Sequence, residues 1–168
     1  MPAQLGWVAL LEERLKREHA DYSVENASIS GETTAGGLAR INGVLERHKP
    51  DIVILALGAN DGLRGLPVAA MKSNLAAIIE RAQKAGAKVL LVGMRLPPNY
   101  GEAYTQAFER AYGELAKSHR GAVLPDLLAG FGEKLELFQA DRIHPAESAQ
   151  SAVLKNVWQP LAPLLRKK

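Results

Sequence analysis

From about Leu5 to Ala20, apolar residues recur at Trp7, Leu10, Leu11 and Leu15, with Glu12, Glu13, Lys16 and Arg17 on the other side, the spacing of an amphipathic helix. The pattern then changes. Asp21 to Ile29 predicts a short strand around Tyr22, Val24 and Ala27, ended by Ser28-Ile29-Ser30-Gly31-Glu32-Thr33-Thr34, whose small and hydroxyl residues suit a turn and the cap of a following helix. That helix is expected from about Ala35 to His48, with Leu38, Ile41 and Leu45 inward and Pro50 closing it. Ile52-Val53-Ile54-Leu55-Ala56-Leu57 is an unbroken apolar run rich in β-branched residues, as expected of a strand covered on both faces in the middle of a sheet.

This run leads directly into Gly58-Ala59-Asn60-Asp61-Gly62-Leu63-Arg64-Gly65, whose glycines permit a tight turn and a close backbone approach to a ligand. Pro67 to Ala85 predicts a helix with Met71, Leu75, Ile78, Ile79 and Ala82 inward, stopped at Gly86. Lys88 to Met94 predicts a buried strand, followed by the proline-stiffened loop Arg95 to Gly101. Glu102 to His119 predicts a helix with Tyr104, Phe108, Ala111, Tyr112 and Leu115 on one side, and Ala122 to Leu124 a last short strand. From Pro145, at a tolerated first-turn position, to about Leu165 the pattern is helical again, with Val153, Val157 and Leu161 inward and Pro160 and Pro163 bending or ending it. Alternating helices and strands imply an α/β fold with a parallel sheet and helices on both faces. Ligands bind such sheets beyond the carboxyl ends of the strands, which is where Ser30-Gly31, Asn60-Asp61, Arg95 and the loop to Asp141 and His144 are expected.

Composition narrows the classes. A chain of 168 residues fits a single domain over 1–168, and 47% apolar with 23% charged residues exclude a disordered or fibrous chain. The net charge of +3 is interleaved along helix faces and not gathered into a stripe, so no nucleic-acid partner is expected. Without cysteine there is no disulfide, thiolate metal site or cysteine nucleophile, and the compartment is unreadable. No apolar run has the roughly 20 residues of a membrane span.

Candidate chemistry centres on Asp141-Arg142-Ile143-His144-Pro145. A carboxylate three residues from an imidazole can hold one ring nitrogen while the other takes a nucleophile's proton. The plain alternative is a helix cap beside a surface histidine. Asn60 carries an amide able to donate to a developing oxyanion, and Gly31 a backbone N–H unobstructed by a side chain; taken alone, each is more often a turn residue. His19, His48 and His119 sit at polar helix ends with no placed carboxylate, and are expected at the surface. Zinc held by His144, Asp141 and Asp61 is disfavoured, since catalytic zinc favours several histidines and this edge has one. No glycine-rich nucleotide fingerprint follows a strand.

Four ordered blocks, Asn26 to Thr34, Leu57 to Gly65, Arg95 to Gly101 and Asp141 to Pro145, resemble the SGNH or GDSL hydrolases, in particular the bacterial arylesterase, lysophospholipase and thioesterase I branch. The resemblance implies a three-layer α/β/α sandwich with a flavodoxin-like sheet, and hydrolysis of carboxylic esters or thioesters without metal or organic cofactor. It makes His144 the base, Asp141 its partner, and Gly31 and Asn60 the oxyanion-hole donors. Leu63, Leu66, Leu96 and Pro97 become candidate walls of an acyl pocket, and a small ester or acyl compound the substrate. Relatives in this branch are often exported.

One block is missing from the match. The family's first strand and its Gly-Asp-Ser-Leu, which supply the nucleophile and one oxyanion N–H, are expected before Pro2, and no Gly-Asp-Ser occurs in the sequence. By the family's order the absent strand is central, between those at Val24 and Ile52, so the domain is expected to be N-terminally incomplete, with interior strand edges unpaired. A late start site, completion by another chain through a swapped strand or homo-oligomer, and a truncation without esterase activity are the three explanations. The rival function is a non-catalytic domain that holds an acyl or anionic ligand without cleaving it.

Overall fold

The computed structural model describes residues 5–165, in two compact units: residues up to Asn26 with Leu128–Gln159, and Ala27–Leu127 with the residues from Pro160 on. In chain order the elements are α1 (Trp7–Glu18), α2 (Thr34–His48), β1 (Ile52–Leu55), α3 (Ala59–Leu63), α4 (Val68–Lys84), β2 (Lys88–Val92), α5 (Glu102–Ser118), β3 (Ala122–Leu124) and α6 (Gln150–Leu161). Among the described residues no helix is long and apolar enough to cross a membrane.

The larger unit is built on a parallel sheet in the order β1-β2-β3, with Val53 opposite Val89 and Leu91 opposite Val123. Parallel pairing needs a helical crossover between strands, and α4 and α5 provide the two. The inward stripe of α4 is the one its spacing predicts: Met71, Leu75, Ile78, Ile79 and Ala82 are all buried. With Leu91, Phe108, Tyr112 and Leu115 they form one core cluster, in which α4 also packs on α2 and α5. Thr33 caps α2 by accepting a hydrogen bond from the Gly36 N–H, and Lys49 in the left-handed region ends the helix.

Several expectations are corrected here. Residues 22–29 form no strand; a strand persists only where a neighbour completes its ladder, and none does so among the described residues. Among the described residues the middle of the sheet is β2, four of whose residues are buried, whereas β1 is an edge with Ile52, Val53 and Ile54 only half-buried. Gly58 to Gly65 is not a plain loop but contains α3, a short helix in which the Gly62 N–H donates to Gly58 O at 2.9 Å.

In the smaller unit, α1 buries Leu11 and Leu15, and α6 buries Val153 and Val157. The two helices meet where the Arg14 guanidinium lies 3.7 Å over the Trp158 ring. Pro145 does not open the last helix: it bridges to Phe138 in a short antiparallel contact, a 3₁₀ turn spans Glu147–Ala149, and α6 starts only at Gln150.

Candidate active site

The Asp141–His144 pair sits on the hairpin made by that bridge. Gln139 N–H donates to His144 O at 2.8 Å, Ala146 N–H to Leu137 O at 2.8 Å, and Arg142 N–H to Gln139 O at 2.9 Å, so the turn closes on itself. Arg142 lies at φ +57°, where a side-chain-bearing residue costs about 1–2 kcal/mol. Asp141 offsets that strain: its Oδ1 accepts the Ile143 N–H at 2.9 Å and the His144 N–H at 3.0 Å. The other oxygen, Oδ2, is 2.8 Å from His144 Nδ1. These two amides and then the ring hold the Asp141 carboxyl well below the usual carboxylate range. With the proton on Nδ1 facing Asp141, Nε2 is the basic nitrogen, and both side chains are open to solvent.

Gln150 anchors this hairpin. Buried at the start of α6, it donates to Pro145 O and Ala146 O at 3.1 and 3.2 Å and accepts the Trp7 N–H at 2.9 Å. It lies outside the four sequence blocks, and only its polarity on an otherwise apolar face marks it.

In the larger unit the turns of Gly31 and Asn60 are tied to each other. Gly31 adopts φ +75°, and its carbonyl accepts from Arg64 Nη2 at 3.1 Å; its N–H has no acceptor among the described residues. Asn60, in α3, donates one amide hydrogen to Glu32 O at 3.0 Å, which leaves the second for another acceptor. Asp61 beside it is buried and takes both the N–H of Thr34, at 2.9 Å, and its hydroxyl, at 2.5 Å. Before α3, Gly58 at φ +110° lets the chain turn under Tyr112, whose hydroxyl donates to Leu57 O at 3.0 Å. Burial, helped by the charge of Asp61, pushes the Tyr112 phenol far above the ordinary tyrosine value.

The candidate pocket residues differ in placement. Leu66 and Pro97 are exposed, Leu63 is partly buried against the core, and Leu96 belongs to the core itself. The segment carrying Leu63 and Leu66 is held by two tyrosines: Tyr100 donates to Leu63 O at 2.8 Å and Tyr104 to Leu66 O at 2.6 Å. His119 is not a free surface histidine. Its side chain is 15% exposed, with Nε2 3.3 Å from Glu80 Oε1, at the turn that enters β3.

A histidine held by a carboxylate is the base half of an acyl-transferring hydrolase's machinery, and a parallel α/β fold is one of the scaffolds that carry it. Residues 3–152 match the GDSL-like lipase/acylhydrolase family, and the chain belongs to it. It is similar to Esterase TesA of Pseudomonas aeruginosa (52% identity over 160 residues, covering 95% of this chain and 80% of that protein). It is also similar to the Thioesterase 1/protease 1/lysophospholipase L1 of Escherichia coli K12 (38% over 165 residues, 98% and 78%). The crystal structure of TesA superposes with a TM-score of 0.95 at 51% identity, over 98% of this chain and 92% of that one. The chain thus shares the fold of these esterases.

Proposed function

We propose hydrolysis of carboxylic esters or thioesters of small acyl compounds by a serine–histidine–aspartate mechanism, in which these residues supply the histidine and the aspartate, and the serine belongs to the family's Gly-Asp-Ser block, which the sequence does not contain. A serine hydroxyl attacks the acyl carbonyl, His144 Nε2 takes its proton, and Asp141 holds the imidazole in the tautomer that can do so. The tetrahedral oxyanion accepts hydrogen bonds from the Gly31 N–H and from the amide hydrogen of Asn60 not used by Glu32 O. His144 then returns the proton to the leaving alcohol or thiol, and water clears the acyl group. Leu63, Leu66, Leu96 and Pro97 shape the acyl pocket. No metal or organic cofactor takes part.

The observation that carries this reading is the 2.8 Å contact between Asp141 Oδ2 and His144 Nδ1, with both amides of the turn on Oδ1. The test is turnover of p-nitrophenyl acetate and butyrate, with His144→Ala as control. A loss on the order of 10³-fold or more in kcat/KM is expected; equal background rates in both proteins overturn the reading for this chain.

A second reading is favoured by one fact: the sequence contains no Gly-Asp-Ser. In it, the serine arrives on a strand that pairs with the outer edge of β1, from another polypeptide or a second copy, and without that strand the chain only binds acyl or anionic ligands. A fluorophosphonate label followed by mass spectrometry separates the two. An adduct on a serine carried by the same polypeptide as His144, in a Gly-Asp-Ser context, supports the first; an adduct on a separate polypeptide, or turnover per chain that rises with protein concentration, favours the shared strand, and an adduct on a serine of these 168 residues removes both.

A further inference from the structure

We propose that Asp61 is a positioning residue whose buried carboxylate sets the aim of the Asn60 amide and the seat of the Gly31 turn; the proposal rests on the esterase reading above. Asp61 is 3% exposed and Thr34 0%. A carboxylate only accepts, so the Thr34 N–H and hydroxyl both donate to it, and the hydroxyl oxygen in turn accepts from Asn74 Nδ2 at 3.1 Å. The first residue of α2, the short helix α3 and the long helix α4 are thereby joined at one point.

Asn60 and Asp61 are neighbours on α3, and successive side chains on a helix diverge by roughly 100°. Pinning Asp61 inward therefore fixes the rotation of α3 and points Asn60 toward Glu32 O. Thr34 stands three residues after Gly31, so the same carboxylate holds the far end of that turn. Three ties join the two segments: Asp61 to Thr34, Asn60 to Glu32, and Arg64 to Gly31. The first is buried, the second partly so and the third exposed. Water competes least for the first, which makes it the anchor.

Asp61→Asn preserves volume but replaces an acceptor with a donor pair opposite two donors, so one contact must break. Thr34→Val removes the hydroxyl alone, and Thr34→Ser retains it. Using the full chain labelled with ¹⁵N, the Asn60 side-chain amide should exchange roughly tenfold faster in Asp61→Asn and Thr34→Val, the loss of about one hydrogen bond. The Gly31 cross-peak should also move, while Thr34→Ser keeps wild-type behaviour and all variants keep the wild-type circular dichroism. In turnover of p-nitrophenyl butyrate, Asp61→Asn should lower kcat on the order of 10²-fold with KM nearly unchanged. A wild-type chain without turnover defeats the esterase reading, yet the amide measurements still judge the positioning role. An unmoved Asn60 amide in Asp61→Asn, or Thr34→Ser as disturbed as Thr34→Val, overturns the proposal. If Asp61→Asn does not fold, the two Thr34 variants decide by the same criterion.

Discussion

Gly58→Ala probes the turn that delivers Asn60, and its cost can be worked out from the neighbouring atoms. At φ +110° and ψ −20° an alanine is strained by about 1–2 kcal/mol on backbone grounds alone. Its Cβ would also stand 2.3 Å from the Tyr112 hydroxyl and 3.0 Å from Met71 Sδ. Tyr112 is 1% exposed, so the ring can yield only by giving up its bond to Leu57 O. Losing a buried hydrogen bond costs a further 1–3 kcal/mol or so. The expected destabilisation is therefore about 3 kcal/mol.

Tyr112→Phe deletes the clashing atom and leaves Cζ, 3.3 Å from the new methyl, as the nearest part of the ring. By itself it should cost about 1–2 kcal/mol for the orphaned carbonyl. The double variant should then cost about 3 kcal/mol, not the sum of the two, a coupling of at least about 1 kcal/mol. Urea denaturation followed by far-UV circular dichroism measures this. Fluorescence would not, because both tryptophans, Trp7 and Trp158, belong to the smaller unit. Equal m-values across the four proteins check that one transition is compared. Additive costs, or a Gly58→Ala penalty under about 1 kcal/mol, refute the reasoning.

Three further outcomes are expected. Gln150→Leu strands the Trp7 N–H and two carbonyls of the hairpin, and should cost about 2–4 kcal/mol, read by tryptophan fluorescence during urea unfolding; a cost under about 1 kcal/mol would remove its anchoring role. Because the folded-state value of Asp141 is depressed, its stabilisation is complete above the ordinary carboxylate value near pH 4 and is lost as pH falls further. The Asp141 side-chain carboxyl, followed by its ¹³C resonance and infrared carboxylate band, should stay ionised down to about pH 4 and take up its proton only below it, and a protonated Asp141 carboxyl at higher pH would contradict the assignment. The Tyr112 phenol is raised, so its contribution is complete below the ordinary tyrosine value near pH 10 and fades as pH climbs toward the folded value. Ultraviolet titration of the four tyrosines should leave Tyr112 unionised past about pH 10 until the chain unfolds; all four ionising together in a native chain would be the contrary result.

What the sequence reveals and what it hides divide along contact distance. The stripe of α4 is legible because five apolar residues repeat at helical spacing, and a period needs no partner to be read. The Asp141–His144 pair is legible for the same reason: its donors and acceptors lie within three residues. The run at Ile52 looks like a central strand because it is apolar throughout, but a strand's rank in a sheet is set by its neighbours, and among the described residues those leave it at an edge. The segment around Tyr22, Val24 and Ala27 has the apolar residues of a strand, and no strand is formed there among the described residues. Thr34 and Asn74 carry no local pattern, since the atoms they bind lie 27 and 40 residues away, and the tie of Gln150 to the Trp7 N–H spans 143. His119 is hidden likewise, its carboxylate being 39 residues earlier in the chain.

The same division separates the two halves of the proposed machinery. The dyad is held by a hairpin spanning only residues 137–146, with Gln150 clamping its base, so the Nδ1–carboxylate geometry depends on few contacts and remains open to solvent. The donors Gly31 and Asn60 depend instead on Asp61, Thr34, Gly58 and Tyr112, which are buried and come from segments far apart in the chain. Disturbing the hairpin removes the base and little else. Disturbing the buried set loosens the core around β1 and α4 and, with it, the turn on which Asn60 stands. A variant that loses activity with its larger unit intact therefore points to the hairpin, whereas one whose stability and activity fall together points to the turns that follow Ile29 and Leu57.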